Sequence, residues 1–375
     1  MQFGERTTDH LIVFAPAASS WKGLTKDAIV EFVNKGGNVL YAASAESGTP
    51  AKEIASQFGL TLRSKVQDHF HFDVKLSERD HAVFWSNAVP EAAAPVVGST
   101  FIKDGSPVLF SGTGQVHSEE NALVFPVLKA MSTASLDKKS NTLGSSISLV
   151  SASQARNNAR FVFSGSLAMF SDAYLKAPVE SLDTALPKKS GNAAFVRALT
   201  EWVFQEKSVL RVKSVAHHKA GETEKPPLYR IKDELVYAIA IEEYTPSGKW
   251  QPFKLPAGDE IQLELQMLDP YVRVNMVPHN KTAGTFVAPK DTRIPDVYGV
   301  FTFKVVYKRR GWSYVVEQEE VSVVPFRHNE YPRFLTAAYP YYASMISMIV
   351  GFLLFSLVHV FHKDVKAVSP EKKAK

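Results

Sequence analysis

Asp68, His69, His71 and Asp73 form the densest cluster of acid–base and metal-ligating side chains in the chain. Imidazole and carboxylate groups bind zinc or move protons near neutral pH, and strand-like alternation would put His69, His71 and Asp73 on one face. The same alternation also describes a solvated strand face. His217-His218 offers two more ring nitrogens. Adjacent residues diverge in direction and no third ligand stands at a fitting spacing, so the pair reads as part of a turn. Ser164-Gly165-Ser166 lacks the flanking pattern of a nucleophile elbow. Gly36-Gly37 follows a helical pattern and precedes a strand, the reverse of a phosphate loop, and reads as a helix stop. Neither H-E-x-x-H nor G-x-x-x-x-G-K-[ST] occurs, and the absence of cysteine excludes a thiolate nucleophile, a disulfide and an iron–sulfur site.

These residues sit in two differently patterned halves. The runs Leu11–Phe14 and Val39–Ala43 are continuous and apolar, and helical spacing follows each of them, over Thr25–Lys35 and from about Pro50 to Phe58. Further strands are expected at Val108–Phe110 and Phe161–Ser164, and a closing helix at Ala193–Gln205. Buried strands separated by amphipathic helices predict an α/β domain over 1–207, with a parallel sheet covered on both faces. From 208 to 325 the pattern changes to short alternating strands: Leu235–Ile241, Glu260–Met267, Val272–Val277, Val300–Tyr307 and Val315–Val324. Turn-rich stretches divide them, which predicts an antiparallel β-sandwich.

A linker over 326–340 leads to Ala343–Val360, eighteen residues whose only titratable member is His359. With its aromatic flanks the stretch 341–362 covers a hydrocarbon core of about 30 Å and predicts one C-terminal transmembrane helix. Lys363, Lys366, Lys372, Lys373 and Lys375 follow it, so the basic tail 363–375 is expected in the cytosol and the bulk of the chain across the membrane. Ala343, Ser347 and Gly351 recur every four residues and form a small-residue stripe suited to docking another helix. Lys372-Lys373-Ala374-Lys375 has the form of a dilysine retrieval signal. Asn280-Lys281-Thr282 is the one glycosylation triplet, expected in a loop between strands. No secretory leader is legible in Met1-Gln2-Phe3-Gly4-Glu5-Arg6, which opens a rival topology: a tail-anchored adaptor with cytosolic domains.

At 375 residues, 45% hydrophobic and 22% charged, the chain can bury a sizeable core. Its 43 basic and 38 acidic residues give +5, of which the last thirteen residues supply +3. The charge excess therefore sits in a tail, with no basic-aromatic groove for nucleic acid.

The stretch from Gln154 to Ser166, QARNNARFVFSGS, closely resembles a signature of the 48 kDa subunit family of oligosaccharyltransferase. Further matching blocks are Val209-Leu210-Arg211-Val212 with His217-His218 and Gly221-Glu222-Thr223, Pro295–Phe301 with Phe303-Lys304-Val305, and Ala338–Ser344 at the start of the span. The resemblance implies a non-catalytic, single-pass type I subunit of the endoplasmic reticulum membrane, with its bulk lumenal. The complex it implies moves a preassembled glycan from dolichyl pyrophosphate to asparagine in nascent proteins. Implied partners are a multi-span catalytic subunit, ribophorin-type subunits and the defender-against-cell-death subunit, with no cofactor held by this chain. The α/β domain is implied to be similar to class I glutamine amidotransferases without their cysteine nucleophile, and the zero cysteine count agrees. Relatives place a leader and further sheet before Leu11, so an exposed sheet edge is expected there. A membrane-anchored hydrolase using His69 and His71 stands as the enzymatic alternative.

Overall fold

The computed structural model describes residues 5–18, 24–77, 81–118, 121–136, 144–179 and 189–363. Met1 to Gly4 and the tail lysines Lys366, Lys372, Lys373 and Lys375 lie outside the described residues.

Local chemistry sets the first helix. Thr25 caps it by accepting the Ala28 amide at 3.2 Å, Asp27 sits in its positive first turn, and Ile29, Phe32 and Val33 share a buried face. It ends at the glycine doublet as expected: Gly36 takes φ +87°, and the Gly36 and Gly37 amides bond back to Val33 and Phe32.

The flanking strands His10–Val13 and Asn38–Ala42 pair in parallel, and Arg160–Ser164 joins Asn38–Ala42 on its other side, also in parallel. Alternation then divides two cores. Val39, Tyr41, Phe161 and Phe163 face Ile29, Phe32, Ile54 and Ala55 of the helices Lys26–Asn34 and Thr49–Gln57. Leu40 and Val162 face Phe195, Leu199 and Trp202 of the helix Asn192–Val203. Both faces of the sheet are covered.

The sheet is mixed, which corrects the expectation of a parallel one. Beyond Arg160–Ser164 its order runs Ser148–Gln154, Thr113–His117, Leu60–Gln67 and Ser135–Leu136, with Val124–Lys129 beside Ser148–Gln154, and each of these pairings is antiparallel. The physical reason is connection length. Ser148–Gln154 turns into Arg160–Ser164 through a tight loop closed by the Ala155 amide on the Ala159 carbonyl, with Asn158 at φ +67°, far too short for a crossover. At the other edge, Ile12 and Phe14 are exposed on and beside His10–Val13, which among the described residues pairs with Asn38–Ala42 alone.

The second half forms two five-stranded antiparallel sheets. One holds Val209–Lys219, Leu235–Tyr244, Trp250–Pro252, Val277–Pro278 and Thr285–Val287, and the other Tyr229–Arg230, Gln262–Gln266, Pro270–Asn275, Gly299–Tyr307 and Val315–Val324. Alternate residues turn inward: Leu235, Tyr237, Ile239 and Ile241 from the first meet Phe301, Phe303, Val305 and Tyr307 from the second. Tyr237 lies edge-on to Phe303 at 6.2 Å. That interdigitation is a sandwich.

The chain up to Val323 packs as one compact unit, and Val324 onward is a second. In the latter, Tyr339–Phe361 is a 23-residue helix with Pro340 in its first turn and no buried side chain. Its best window has mean hydropathy 2.2. At about 1.5 Å per residue it spans roughly 34 Å, the length of one membrane crossing.

A half-buried histidine makes the sheet sensitive to acid. His117 ends the strand Thr113–His117 with Nε2 on the Ser151 hydroxyl at 2.9 Å, and burial, aided by the Lys129 charge, pushes its pKa down to about 4. The unfolded chain binds this proton near pH 6.5, so between pH 6.5 and 4 it holds more protons than the folded chain and acid destabilises. A loss of about 2 kcal/mol from pH 7 to 4.5, discounted for partial exposure, is expected from this group. His117→Gln should flatten the denaturation midpoint across that window, and an unchanged pH slope would remove His117 as the cause.

Candidate functional site

The acidic and imidazole cluster folds as a loop. The strand Leu60–Gln67 ends before it, so His69, His71 and Asp73 do not share a strand face, correcting that expectation. Asp68 is buried, and its Oδ1 accepts the backbone amides of Phe70 and His71 at 2.9 and 3.0 Å. The Thr133 hydroxyl lies 3.0 and 2.8 Å from its two oxygens, and His71 Nδ1 is 3.2 Å from Oδ2. Asp73 repeats the device, accepting the amides of Lys75 and Leu76. The carboxylates thus terminate the strand and close two Asx turns. The His71 ring stands edge-on to Trp85, and the His69 ring packs on His81. Among the described residues no group of three or more His, Asp or Glu side chains is arranged to hold a metal ion.

His217-His218 lies within the long strand Val209–Lys219, not in a turn. The two side chains do diverge. His217 points into the sandwich between Tyr229 OH at 2.8 Å and Glu319 Oε2 at 3.0 Å, whereas His218 bonds the neighbouring Lys219 carbonyl. Burial holds the His217 pKa below its ordinary value against the opposing pull of Glu319. In Ser164-Gly165-Ser166 both hydroxyls are committed to the backbone, Ser164 to the Ser166 carbonyl and Ser166 to the Ser111 carbonyl. Neither serine is placed to attack a substrate.

The polar residues that do converge lie on the QARNNAR stretch, where Ser148–Gln154 turns into Arg160–Ser164. Gln154 and Asn158 reach the hairpin that joins Gly299–Tyr307 to Val315–Val324: Gln154 donates to the Trp312 carbonyl and accepts the Gly311 amide at 3.1 Å, and Asn158 accepts the Tyr314 amide at 2.7 Å. Between them Arg160 is wholly buried. Its Nη1 donates to the carbonyls of Trp202 at 2.6 Å and Lys207 at 2.7 Å, Nη2 donates to Ser208 at 2.7 Å, and the guanidinium stacks 4.7 Å above the Trp202 ring. Trp202 Nε1 in turn donates to the Gly311 carbonyl at 2.7 Å. Burial lowers the Arg160 pKa to about 9, so it stays charged at neutral pH. One cation thereby caps the last turn of Asn192–Val203 and the first residues of the sandwich. Its role has one trace in the sequence, a lone arginine opening an apolar strand.

Residues 1–206 match the OST48 N-terminal domain and residues 217–363 the OST48 middle domain. The chain belongs to the OST48 family. Its similar relatives include the dolichyl-diphosphooligosaccharide–protein glycosyltransferase 48 kDa subunits of Caenorhabditis elegans, 40% identical over 99% of this chain and 85% of the relative, and of Drosophila melanogaster, 38% identical over 100% and 85%. That of Danio rerio is 37% identical over 97% and 83%. In this member of the OST48 family, the stretch that carried the resemblance is the seam between the α/β sheet and the sandwich.

The other residues singled out by the sequence fall elsewhere in the chain. Asn280 is exposed in the loop between Val277–Pro278 and Thr285–Val287, with the Thr282 hydroxyl 2.7 Å from His279 Nδ1. Ala343, Ser347 and Gly351 fall on the apolar helix, where Ser347 bonds the Ser344 carbonyl within its own turn and Gly351 has open space at its Cβ position.

Proposed function

We propose that this chain is a non-catalytic subunit of the oligosaccharyltransferase complex, supporting transfer of a preassembled glycan from dolichyl pyrophosphate to asparagine in nascent proteins. Near-full-length membership of the OST48 family carries the reading. The loop geometry supports the absence of catalysis, since Asp68 and Asp73 are spent on backbone amides and both serines on carbonyls. The α/β layer is read as similar to the class I glutamine amidotransferase fold stripped of its nucleophile. The domain division is 1–207, 208–325, a linker, a span over 341–362 and a basic tail. Ala343, Ser347 and Gly351 dock a helix of a neighbouring subunit, the multi-span catalytic one or a ribophorin-type or defender-against-cell-death subunit, and Lys372-Lys373 retrieves the protein to the endoplasmic reticulum.

Complementation tests this reading. In cells depleted of the protein, glycoproteins should be underglycosylated, and a His69→Ala/His71→Ala double variant should restore them fully. Gly351→Leu should fail to co-purify the other subunits. Full rescue by Gly351→Leu with failure of the histidine variant would favour the membrane-anchored hydrolase.

Orientation has its own measurement. With the bulk lumenal, Asn280 is open to glycosylation, and endoglycosidase should shift the wild-type protein but not Asn280→Gln on a gel. Digestion of residues 5–323 by protease added to intact microsomes would favour the tail-anchored adaptor instead.

A further inference from the structure

We propose that one end of the second sandwich sheet, carrying Leu268, Tyr271, Tyr298 and Val300, dips into the headgroup layer of the bilayer entered by the apolar helix. The four side chains are 93%, 48%, 67% and 55% exposed. Register brings them together. Gln266 stands opposite Thr302, so the turn beyond it carries Leu268 towards Val300, and Met267 Sδ lies 2.7 Å from the Cβ position of Gly299. The Tyr271 ring rests against Phe301 at 5.5 Å. An apolar cluster of this kind on a folded surface marks a place that meets something other than water.

Chain direction identifies the occupant. Gly299 pairs with Val323 at this end of the sheet, whereas Tyr307 pairs with Val315 at the other. The far end holds the hairpin bonded to Gln154, Asn158 and Trp202, together with Lys308, Arg309 and Arg310. The apolar end is therefore separated from the α/β seam by the length of Gly299–Tyr307, about 30 Å at roughly 3.3 Å per residue. It is also the end from which the chain leaves towards Tyr339 through 325–338, a segment able to span at most about 50 Å. Tyrosines beside branched aliphatics suit the layer where acyl chains meet headgroups. Asp269 on the rim favours a zwitterionic surface over an anionic one. The inference rests on the helix crossing the membrane but is independent of which side holds the bulk.

The absence of cysteine makes the test direct, because a single introduced thiol takes an environment-sensitive dye at one place. The full chain is reconstituted in phosphatidylcholine vesicles as Leu268→Cys, Lys308→Cys or Leu354→Cys. A doxyl-labelled phosphatidylcholine should quench the dye at 354 and remove on the order of half the emission at 268, as a burial of about 5–10 Å implies, while sparing 308. Adding Tyr298→Asp should restore emission at 268. Quenching at 354 without quenching at 268 would overturn the proposal while leaving the span intact. Loss of quenching at 354 would remove the span and the proposal together. In native microsomes a photocrosslinker at 268 should capture lipid, and capture of another polypeptide in its place would also overturn the proposal.

Discussion

Arg160→Met lowers the stability of the folded unit by about 3–5 kcal/mol, the penalty for removing one partner of a buried charged network. The side chain donates to three carbonyls, those of Trp202, Lys207 and Ser208, and methionine leaves all three without it. The Trp202 carbonyl keeps the Gln205 amide, and each of the other two acceptors costs about 1–3 kcal/mol if left without a donor. Methionine refills much of the volume against Trp202, so the loss reports hydrogen bonding more than a cavity. The checks are a denaturant midpoint on the full chain in detergent and limited proteolysis. Cleavage should appear first within 204–208, where Gln205 and Ser208 already hold positive φ angles of +61° and +58° that the network restrains. Arg160→Lys should recover only part of the loss, because an ammonium lacks the planar fork that reaches carbonyls on both sides of the junction. Wild-type stability in Arg160→Met would show that the sandwich holds to the sheet without this cation.

Gly165→Ala comes second, at about 3 kcal/mol, the upper part of the range for overpacking a tight interior. A Cβ at this position would stand 2.1 Å from the Thr113 carbonyl oxygen and 3.2 Å from that of Leu149, backbone atoms of two neighbouring strands. Those strands cannot step aside without releasing the Gly165 amide from Leu149 and the Thr113 amide from Gly165, both at 2.9 Å. The methyl group therefore breaks ladder bonds as well as crowding the core. Ser166→Ala is the control, since it deletes a buried hydroxyl bonded to the Ser111 carbonyl at a milder expected loss of about 1–2 kcal/mol. Equal stability of Gly165→Ala and wild type would mean that the strand end relaxes freely.

Strong periodicity made much of the architecture legible. The strand predicted at Val315–Val324 occurs with those bounds, that at Val300–Tyr307 begins one residue earlier, and the helix predicted from Thr25 spans Lys26–Asn34. Strands with polar content were harder to see. Ser148–Gln154 is buried along its whole length, yet Ser148, Ser151, Ser153 and Gln154 give it the look of a loop, and its burial comes from neighbours on both sides. Missing it meant missing the antiparallel half of the sheet. The histidine pair misled for a related reason: Val209–Lys219 exposes much of one face, so its polar residues resemble a turn. Asp68 and His71 are close in space, as their sequence spacing suggests, but spacing does not tell that backbone amides occupy the carboxylate. The use of Arg160 depends on Trp202, Lys207 and Ser208, partners more than forty positions away that no local pattern connects to it.

The bond from Gln154 to Trp312 joins residues 158 positions apart. A ribosome adding about 5–20 residues per second needs roughly 8–30 s to cover that distance. In the later part of that interval, from the emergence of Trp202 to that of Trp312, the sheet lacks its hairpin partner, and the Gln154 amide, the Asn158 oxygen and the Trp202 indole remain open to solvent or to a chaperone. Translational pausing between codons 205 and 311 therefore lengthens the most vulnerable stage of this protein's biogenesis.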